Sequence, residues 1–154
     1  MGRISRPQMF MEIAHIVAKR ATCMRLSVGA VLVHQRNIVA IGYNGVPAGH
    51  EHCLGNDCPG KYKCELTTHA EMNALGHLPQ WVSGPLDLYV TDSPCEDCYR
   101  ALRVSPVHRI FFGTPYRITT HLEEKDDWFN GIYRITPSGY IMDWKTKELV
   151  EVVT

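Results

Sequence analysis

Hydrophobic positions in the first third of the chain follow two different periods. Apolar side chains repeat at helical spacing over residues 7–21, where Pro7 suits the first turn of a helix. Two apolar runs follow at 28–33 and 38–43, with a short polar break between them. We predict an amphipathic helix that lies on a sheet, followed by an antiparallel hairpin that is buried on both faces.

The middle of the chain has the pattern of a β-α-β unit. Residues 86–91 and 109–112 are apolar runs of strand length, and residues 95–104 between them have a helical pattern. Such a unit implies parallel pairing through a right-handed crossover. Ligands of open α/β sheets gather at the carboxyl ends of the strands, and Pro94 on the carboxyl side of the first strand places the cysteines that follow it there.

The other segments complete an α/β pattern. A short helix is predicted from His69 with Gly76 as its end. It follows a long loop at 44–68, and loops of that length in a compact domain are usually functional. Residues 132–135 are predicted to form a fifth strand, and residues 135–154 to add a small C-terminal hairpin.

Composition narrows the class of protein. The chain has 154 residues, 45% hydrophobic and 21% charged, which is typical of one soluble globular domain spanning residues 1–154. Its 16 basic residues balance 16 acidic ones, so charge gives no reason to expect a nucleic acid partner. Without a membrane-length apolar run or a signal peptide, a cytoplasmic location is expected. Its six cysteines should then be reduced and available as metal ligands.

Two short motifs carry the candidate chemistry. His69 is followed two places later by Glu71, and Pro94 is followed by Cys95 and Cys98. This combination is the signature of zinc deaminases, in which one His and two Cys hold the metal and the Glu carries protons. Three protein ligands leave a fourth coordination position open, as catalytic zinc sites do.

Local sequence also predicts where the two helices begin. Ser93 with Glu96, and Thr68 with Glu71, have the spacing of capping boxes. Both helix amino ends would then face the metal. Their partial positive charge would favour thiolates and an anionic, metal-bound hydroxide.

Each of these residues has an ordinary alternative. Glu71 could cap its own helix, and His69 could be a hydrogen-bonded histidine of the core or surface. A lone Cys-x-x-Cys is equally typical of a redox pair or of half a structural zinc site. Because structural zinc normally takes four protein ligands, the combination of one His and two Cys favours an open catalytic site.

With these motifs in place, the chain resembles the cytidine deaminase-like superfamily. Within it, the chain is most similar to the deoxycytidylate (dCMP) deaminases of animals and phages. The superfamily likeness is carried by His69, Glu71, Pro94, Cys95 and Cys98. The narrower likeness is carried by the segments at 23–30, 42–47, 69–74 and 93–95. The resemblance covers about residues 10–135 and implies a three-layer α/β/α fold with a central five-stranded mixed sheet.

The resemblance also implies a reaction. It is the zinc-dependent hydrolytic deamination of dCMP to dUMP with release of ammonia, which supplies thymidylate synthesis. Zinc held by His69, Cys95 and Cys98 would lower the pKa of its water toward neutrality. Glu71 would move a proton from that water to the pyrimidine N3 and then carry one to the departing amine.

The same resemblance suggests four substrate contacts. Asn44 corresponds to an asparagine that contacts the sugar, although Asn-Gly is also a strong turn signal. Thr91 and Ser93 would line the base or phosphate pocket, with helix capping as the alternative for Ser93. Tyr116 matches an aromatic residue that closes the pocket, with core packing as its alternative.

Many members of the resembled family are hexamers that dCTP activates and dTTP inhibits. If this holds here, a homo-oligomer with a second nucleotide site near Asn44 and Gly45 is expected. Arg25 would then pair with the negative charge of the triphosphate, with Mg²⁺ as counterion. The alternative is that Arg25 is a solvated surface charge.

A second zinc site is a further possibility that the resemblance raises. Its candidate ligands are the four remaining cysteines, Cys23, Cys53, Cys58 and Cys64. Cys23 and Cys53 match two ligands of the resembled pattern, whose other two ligands are histidines. His50 and His52 lie close by in sequence. The resembled pattern has a histidine where this chain has Thr67, so Cys58 or Cys64 would have to substitute. The alternative is reduced cysteines in a long loop.

Two other functions are compatible with the motifs. The first is deamination of another base, such as cytosine, guanine or a tRNA adenosine, because the same residues serve those enzymes. The second is a non-catalytic module that binds zinc or a nucleotide. An intact Glu71 and a three-ligand site argue against the second.

Overall fold

A computed structural model describes residues 2–23, 25–50, 67–123 and 128–154 of the chain. The helices in these residues are α1 (Arg6–Ala18), α2 (Ala70–Gly76), α3 (Glu96–Arg103) and α4 (Thr120–Glu123). The strands are β1 (Gly29–His34), β2 (Asn37–Tyr43), β3 (Leu86–Asp92), β4 (Val107–Thr114), β5 (Gly131–Ile135), β6 (Ile141–Asp143) and β7 (Leu149–Val150). None of the helices in the described ranges combines the length and apolarity that crossing a membrane requires.

The strands form one mixed sheet in the order β2-β1-β3-β4-β5-β6-β7. The pairs β3–β4 and β4–β5 are parallel, and the other neighbouring strands are antiparallel. The predicted mixed sheet is therefore confirmed, but it has seven strands where five were expected. The two extra strands come from the tail, which turns back at Gly139 (φ +90°) and pairs β6 with β5.

Helices cover both faces of the sheet and make the three layers. On one face α1 packs its buried residues against an aromatic row that runs across the strands. Successive ring centroids in this row are 4.5–5.1 Å apart, through Phe10, Tyr89, Phe111 and Tyr133. On the other face α2, α3 and α4 share a core with alternate residues of the same strands. Strands β1 and β3 are buried along almost their whole length, as their apolar runs predict.

Strand β2 is not buried on both faces. The prediction that the whole hairpin is buried on both faces is therefore wrong for this strand. It lies at the edge of the sheet, and its Ile38 and Ile41 are 40% and 45% exposed. Strand β1 is buried because it lies between β2 and β3. The difference follows from sheet position, which the apolar composition of the two runs does not reveal.

Close backbone contact fixes α2 on the sheet. A side chain at Gly42 of β2 would collide with the Ala70 carbonyl oxygen and the Ala74 amide of α2. Glycine is therefore required by space at this crossing. The strand and the helix that follows the candidate ligand His69 are held together at backbone distance.

The end of the sheet opposite the carboxyl ends of β3 and β4 holds a charged pair. Arg109 donates Nε–H to Asp87 at 2.7 Å and makes a second bond to the same carboxylate through Nη2. Its Nη1 donates to the Val153 carbonyl oxygen at 2.9 Å, which ties the chain terminus to the sheet. Asp87 raises the pKa of the Arg109 guanidinium through these bonds.

Candidate active site

The two halves of the sequence motif meet beyond the carboxyl end of β3. His69 is the residue immediately before α2, and Cys95 is the residue immediately before α3. Both have extended backbone angles and both are N-caps, so the amino ends of the two helices converge on one place. Cys98 lies in the first turn of α3 and faces the same place.

Neither predicted capping box is present. Cys95 is itself the cap of α3, and its Sγ accepts a hydrogen bond from the Cys98 backbone N–H at 3.5 Å. Ser93 instead accepts a bond from the Tyr116 backbone N–H at 2.8 Å. Thr68 is held by a bridge to Gly45, and His69 makes no side-chain cap bond. The spacing was correct for caps, but the Ser93 hydroxyl has a tertiary partner and the Thr68 backbone is paired with Gly45.

The three candidate ligands have the spacing of a tetrahedral zinc site. Their donor atoms all lie within 4.8 Å of one another. His69 Nδ1 is 3.1 Å from Cys98 Sγ and 3.5 Å from Cys95 Sγ. Normal zinc–nitrogen and zinc–sulfur bonds at a tetrahedral angle separate such donors by about 3.6 Å. The residues therefore fit the metal that the donor set implies.

The pKa values of Glu71, Cys95 and Cys98 are shifted from the ordinary values of these side chains. Burial raises the pKa of the Glu71 carboxyl to about 7. A hydrogen bond from Cys98 is the largest cause that lowers the pKa of Cys95, to about 4. The same bond raises the pKa of Cys98, because one proton is shared between the two sulfurs. The lowered pKa of Cys95 favours its thiolate form, which is the form that binds a metal cation.

A cavity of about 740 Å³ opens at these residues. Its walls include His69, Glu71 and Cys95, with the segment 116–118 on another side. The volume lies within the usual range for small-molecule sites. A buried carboxyl group, a thiolate and a histidine therefore face one space that can admit a ligand.

A comparison with known proteins identifies the family. The model described as the cytidine and deoxycytidylate deaminase zinc-binding region matches residues 4–114. The chain belongs to this deaminase family. Zinc is accordingly the metal that the His69, Cys95 and Cys98 cluster fits.

Relatives of this deaminase include bacterial and phage proteins. ComE operon protein 2 of Bacillus subtilis (strain 168) is 35% identical over 157 residues, covering 99% of this chain and 83% of its own. The deoxycytidylate deaminase of Mycobacterium phage D29 is 34% identical over 127 residues, covering 73% of this chain and 97% of its own.

A solved structure confirms the fold. The dCMP deaminase from cyanophage S-TIM5, in complex with dCMP and dUMP, superposes with a TM-score of 0.74 at 26% identity. The match covers 87% of this chain and 99% of the cyanophage chain. The predicted cytidine deaminase-like α/β/α architecture is confirmed, apart from the number of strands.

The predicted substrate residues of this deaminase lie in different places. Asn44, Ser93 and Tyr116 line the cavity. The Asn44 side chain also holds the backbone, because Oδ1 accepts from Val28 N–H at 2.8 Å and Nδ2 donates to the Leu26 carbonyl at 2.7 Å. The remaining Nδ2 hydrogen leaves one donor for a ligand.

Thr91 is not part of the cavity wall. Its hydroxyl accepts from Gly29 N–H at 3.1 Å and donates to Asp92 at 3.3 Å, so it joins β1 to β3. Gly45, predicted for the nucleotide effector, also lies outside the wall, while Arg25 is exposed on it. The substrate and effector roles of these residues remain predictions.

The second-zinc prediction falls largely outside the described residues. Cys53, Cys58 and Cys64 belong to the segment 51–66, as does the neighbouring His52. Cys23 is half-buried and lines the cavity.

Several cavity residues were not predicted from the sequence, and three of them carry an ionisable side chain of interest, namely Arg117, Asp92 and His121. Arg117 follows Tyr116 directly, has a left-handed φ of 49°, and places its guanidinium 4.9 Å from the Tyr116 ring centroid. Asp92 ends β3 at the cavity, and His121 of α4 is buried in the wall. Adjacency to a predicted residue was a usable signal for Arg117, which follows Tyr116, and for Asp92, which lies between Thr91 and Ser93. His121 reaches the cavity only through the fold.

Proposed function

We propose that this protein is a zinc-dependent deoxycytidylate deaminase, which hydrolyses dCMP to dUMP and ammonia and so supplies thymidylate synthesis. The observation that carries the proposal is the buried Glu71 carboxyl, which shares a cavity with His69 and Cys95, two of the three clustered donors that Cys98 completes. The names of the phage D29 relative and of the cyanophage structure support the substrate.

The chemistry divides between the metal and one carboxyl group. His69, Cys95 and Cys98 would hold the zinc, which would supply Lewis-acid activation of water. Glu71 takes a proton from the attacking water and delivers it to the pyrimidine N3. Glu71 then carries a proton to the amine that leaves C4 as ammonia. One water is consumed, so the products balance as dUMP and ammonia.

The cavity walls supply the binding groups. Among the described residues, Arg25 and Arg117 bring permanent positive charge to the cavity, which suits the 5′-phosphate of a nucleotide. Arg117 is the stronger choice, because its guanidinium is already oriented over the Tyr116 ring. Tyr116 itself offers an aromatic face to the base.

A substrate panel tests this function. Ammonia release is measured with dCMP, deoxycytidine, cytosine, guanine and a tRNA adenosine, before and after chelation and zinc restoration. We expect dCMP to be the preferred substrate and activity to follow zinc. A preference for another base would overturn the substrate assignment, and a folded, zinc-loaded chain inert toward all five would favour the non-catalytic module.

We also propose regulation by dCTP as activator and dTTP as inhibitor, at a site that includes Arg25, Asn44 and Gly45 with Mg²⁺ as counterion. The exposed guanidinium of Arg25 beside the cavity supports it. Calorimetry with dTTP and Mg²⁺ is expected to give heat and slow the reaction. The absence of both effects would remove the proposal.

A second zinc held by Cys23 together with Cys53, Cys58 and Cys64 is proposed as well. Elemental analysis of the purified protein is the test. Two zinc ions per chain are expected, and a single ion would reject the second site.

The assembly proposed is a homo-oligomer, with a hexamer expected, of a single-domain chain in the cytoplasm. The uncharged edge strand β2 with its exposed Ile38 and Ile41 supports self-association, because such edges are rarely left open to water. We expect the protein to bind small nucleotides, and to bind neither a nucleic acid nor a membrane. Light scattering of the purified protein is expected to give six times the chain mass, and a monomer would reject the assembly.

A further inference from the structure

His121 is buried in the cavity wall without being one of the metal donors. It lies in α4, is 6% exposed, and packs its ring edge-on against Tyr99 with centroids 5.4 Å apart. A buried imidazole has lost its contacts with water, so its ring nitrogens require partners inside the protein.

The partner of its Nε2 is the carbonyl oxygen of Pro94 at 2.8 Å. A carbonyl oxygen only accepts hydrogen bonds, so Nε2 carries the proton and donates it. Pro94 is also buried, and it directly precedes Cys95. The bond from His121 therefore fixes the peptide unit that joins Pro94 to Cys95.

That peptide unit sets the direction of the Cys95 thiol. Helix α3 holds the carboxyl side of Cys95, since the Cys95 carbonyl accepts from Tyr99 N–H at 2.8 Å. On the amino side, Pro94 has no N–H of its own that could anchor the turn. The imidazole of His121 supplies that anchor from a different element of the fold.

We propose that His121 is a positioning residue for the metal centre, whose Nε2–H bond to Pro94 holds the Cys95 sulfur where the ion requires it. The inference rests on the proposed function in taking His69, Cys95 and Cys98 as the metal ligands. Hydrogen bonds outside the ligand set orient ligands, and losing one typically costs about 10–100-fold in metal affinity or activity.

The test compares substitutions in the zinc enzyme and in the cobalt(II)-substituted enzyme. His121→Phe keeps a flat ring and removes the donor, whereas His121→Gln keeps an N–H donor at similar reach. His108→Phe is the matched control. Its ring Nδ1 lies 2.9 Å from the Leu86 carbonyl oxygen, at the other end of β3.

We expect His121→Phe to weaken metal affinity and lower kcat about 10–100-fold with little change in KM. It should also shift the cobalt–thiolate absorption bands. His121→Gln should restore affinity and spectrum, and His108→Phe should leave both as in the wild type. A wild-type spectrum and affinity in His121→Phe, or an equal deficit in both His121 variants, would overturn the proposal.

The spectrum is independent of the substrate, so a chain that fails to deaminate dCMP still tests this inference. If His121→Phe does not fold, ¹⁵N-histidine NMR of the wild-type protein decides the question. An Nε2–H tautomer at His121, assigned with the His121→Gln variant, supports the proposal, and an Nδ1–H tautomer overturns it.

Discussion

Glu71 combines burial with a place beside the candidate ligands. It is 5% exposed and lies in the first turn of α2, two residues after His69. An isolated buried carboxylate is costly, so a carboxyl group kept in such a place must be used or compensated. A proton carrier gains from this arrangement, because a raised pKa lets the same group accept and release a proton near neutrality.

Replacing this carboxyl group should separate metal binding from turnover. Glu71→Gln is expected to lower kcat by about 10²–10⁴-fold, because an amide cannot carry the proton. Zinc content should stay unchanged, since Glu71 is not one of the three donors. Ammonia release and elemental analysis measure the two effects. Glu12→Gln on the exposed surface of α1 is the control, and near wild-type turnover in Glu71→Gln would refute the role.

Arg117 should act on the phosphate group alone. Arg117→Ala is expected to raise the KM for dCMP by about 10–100-fold, the worth of a charge-assisted hydrogen bond. Deoxycytidine lacks the phosphate, so its kinetics should hardly change. Steady-state assays with both substrates test whether Arg117 contacts the phosphate group. Arg36→Ala, on the β1–β2 turn, is the control. An equal loss for the two substrates would assign Arg117 to the base or the sugar.

At this scale, sequence reasoning reached the residues whose motif is local. His69 with Glu71, and Cys95 with Cys98, are close in the chain, so their joint use follows from spacing. His121 is 27 positions after Pro94, and their contact exists only after the sheet has formed. No pattern in the sequence around His121 predicts that contact.

Among the elements, α2 depends most closely on one strand. The crossing at Gly42 leaves no room for a β-carbon against the backbone of α2. Any residue larger than glycine must push the helix away from β2. Because α2 carries Glu71 and follows His69, a change in packing here becomes a change in the site.

Two glycine substitutions test this coupling. Gly42→Ala is expected to lower the free energy of unfolding by about 1–3 kcal/mol through overpacking, and to reduce activity as α2 shifts. Gly76→Ala, in the same helix but with open space around the new methyl, should be neutral or slightly stabilising. Urea unfolding and ammonia release measure both variants. Equal behaviour of the two would show that the crossing is not tight.

Element positions were easier to predict than element ends. The periodicity located every strand from β1 to β5, because buried strands need continuous apolar runs. The N-caps of α2 and α3 were predicted at Thr68 and Ser93, whereas the structure has them at His69 and Cys95. The Ser93 hydroxyl group is used in a tertiary contact and the Thr68 backbone pairs with Gly45, and no local pattern encodes either contact.

At the scale of the whole molecule, the buried ion pair between Asp87 and Arg109 and the candidate active site lie at opposite ends of β3. Asp87 lies at the start of this strand with side chain 11% exposed, and Asp92 ends it at the cavity. Breaking a buried ion pair leaves one charge without its partner, which is more costly than losing an exposed pair. Stability and catalysis should therefore respond to different substitutions.

This separation can be measured directly. Asp87→Asn is expected to lower the free energy of unfolding by about 3 kcal/mol, because it leaves the Arg109 charge unpaired. The kcat should stay within about twofold, as distant sites behave independently. Glu123→Gln breaks an exposed pair with Lys147 and should cost less than about 1 kcal/mol. A large loss of kcat in folded Asp87→Asn would contradict the separation.

The architecture as a whole was predictable, and a small hairpin was expected in the tail, but its addition to the main sheet was not. A β-α-β pattern and right-handed crossovers restrict the sheet to few arrangements, and the observed order is one of them. The final strands are three and two residues long, too short for a period to be recognised. Their pairing depends on β5 being available as an edge, which is a property of the finished sheet.

The segment 116–118 forms part of the cavity wall yet contributes no metal donor. Substitutions in this segment could therefore change substrate specificity during evolution while the metal ligands and Glu71 stayed the same. Selection acting on such a stretch would explore specificity at little risk to the reaction itself.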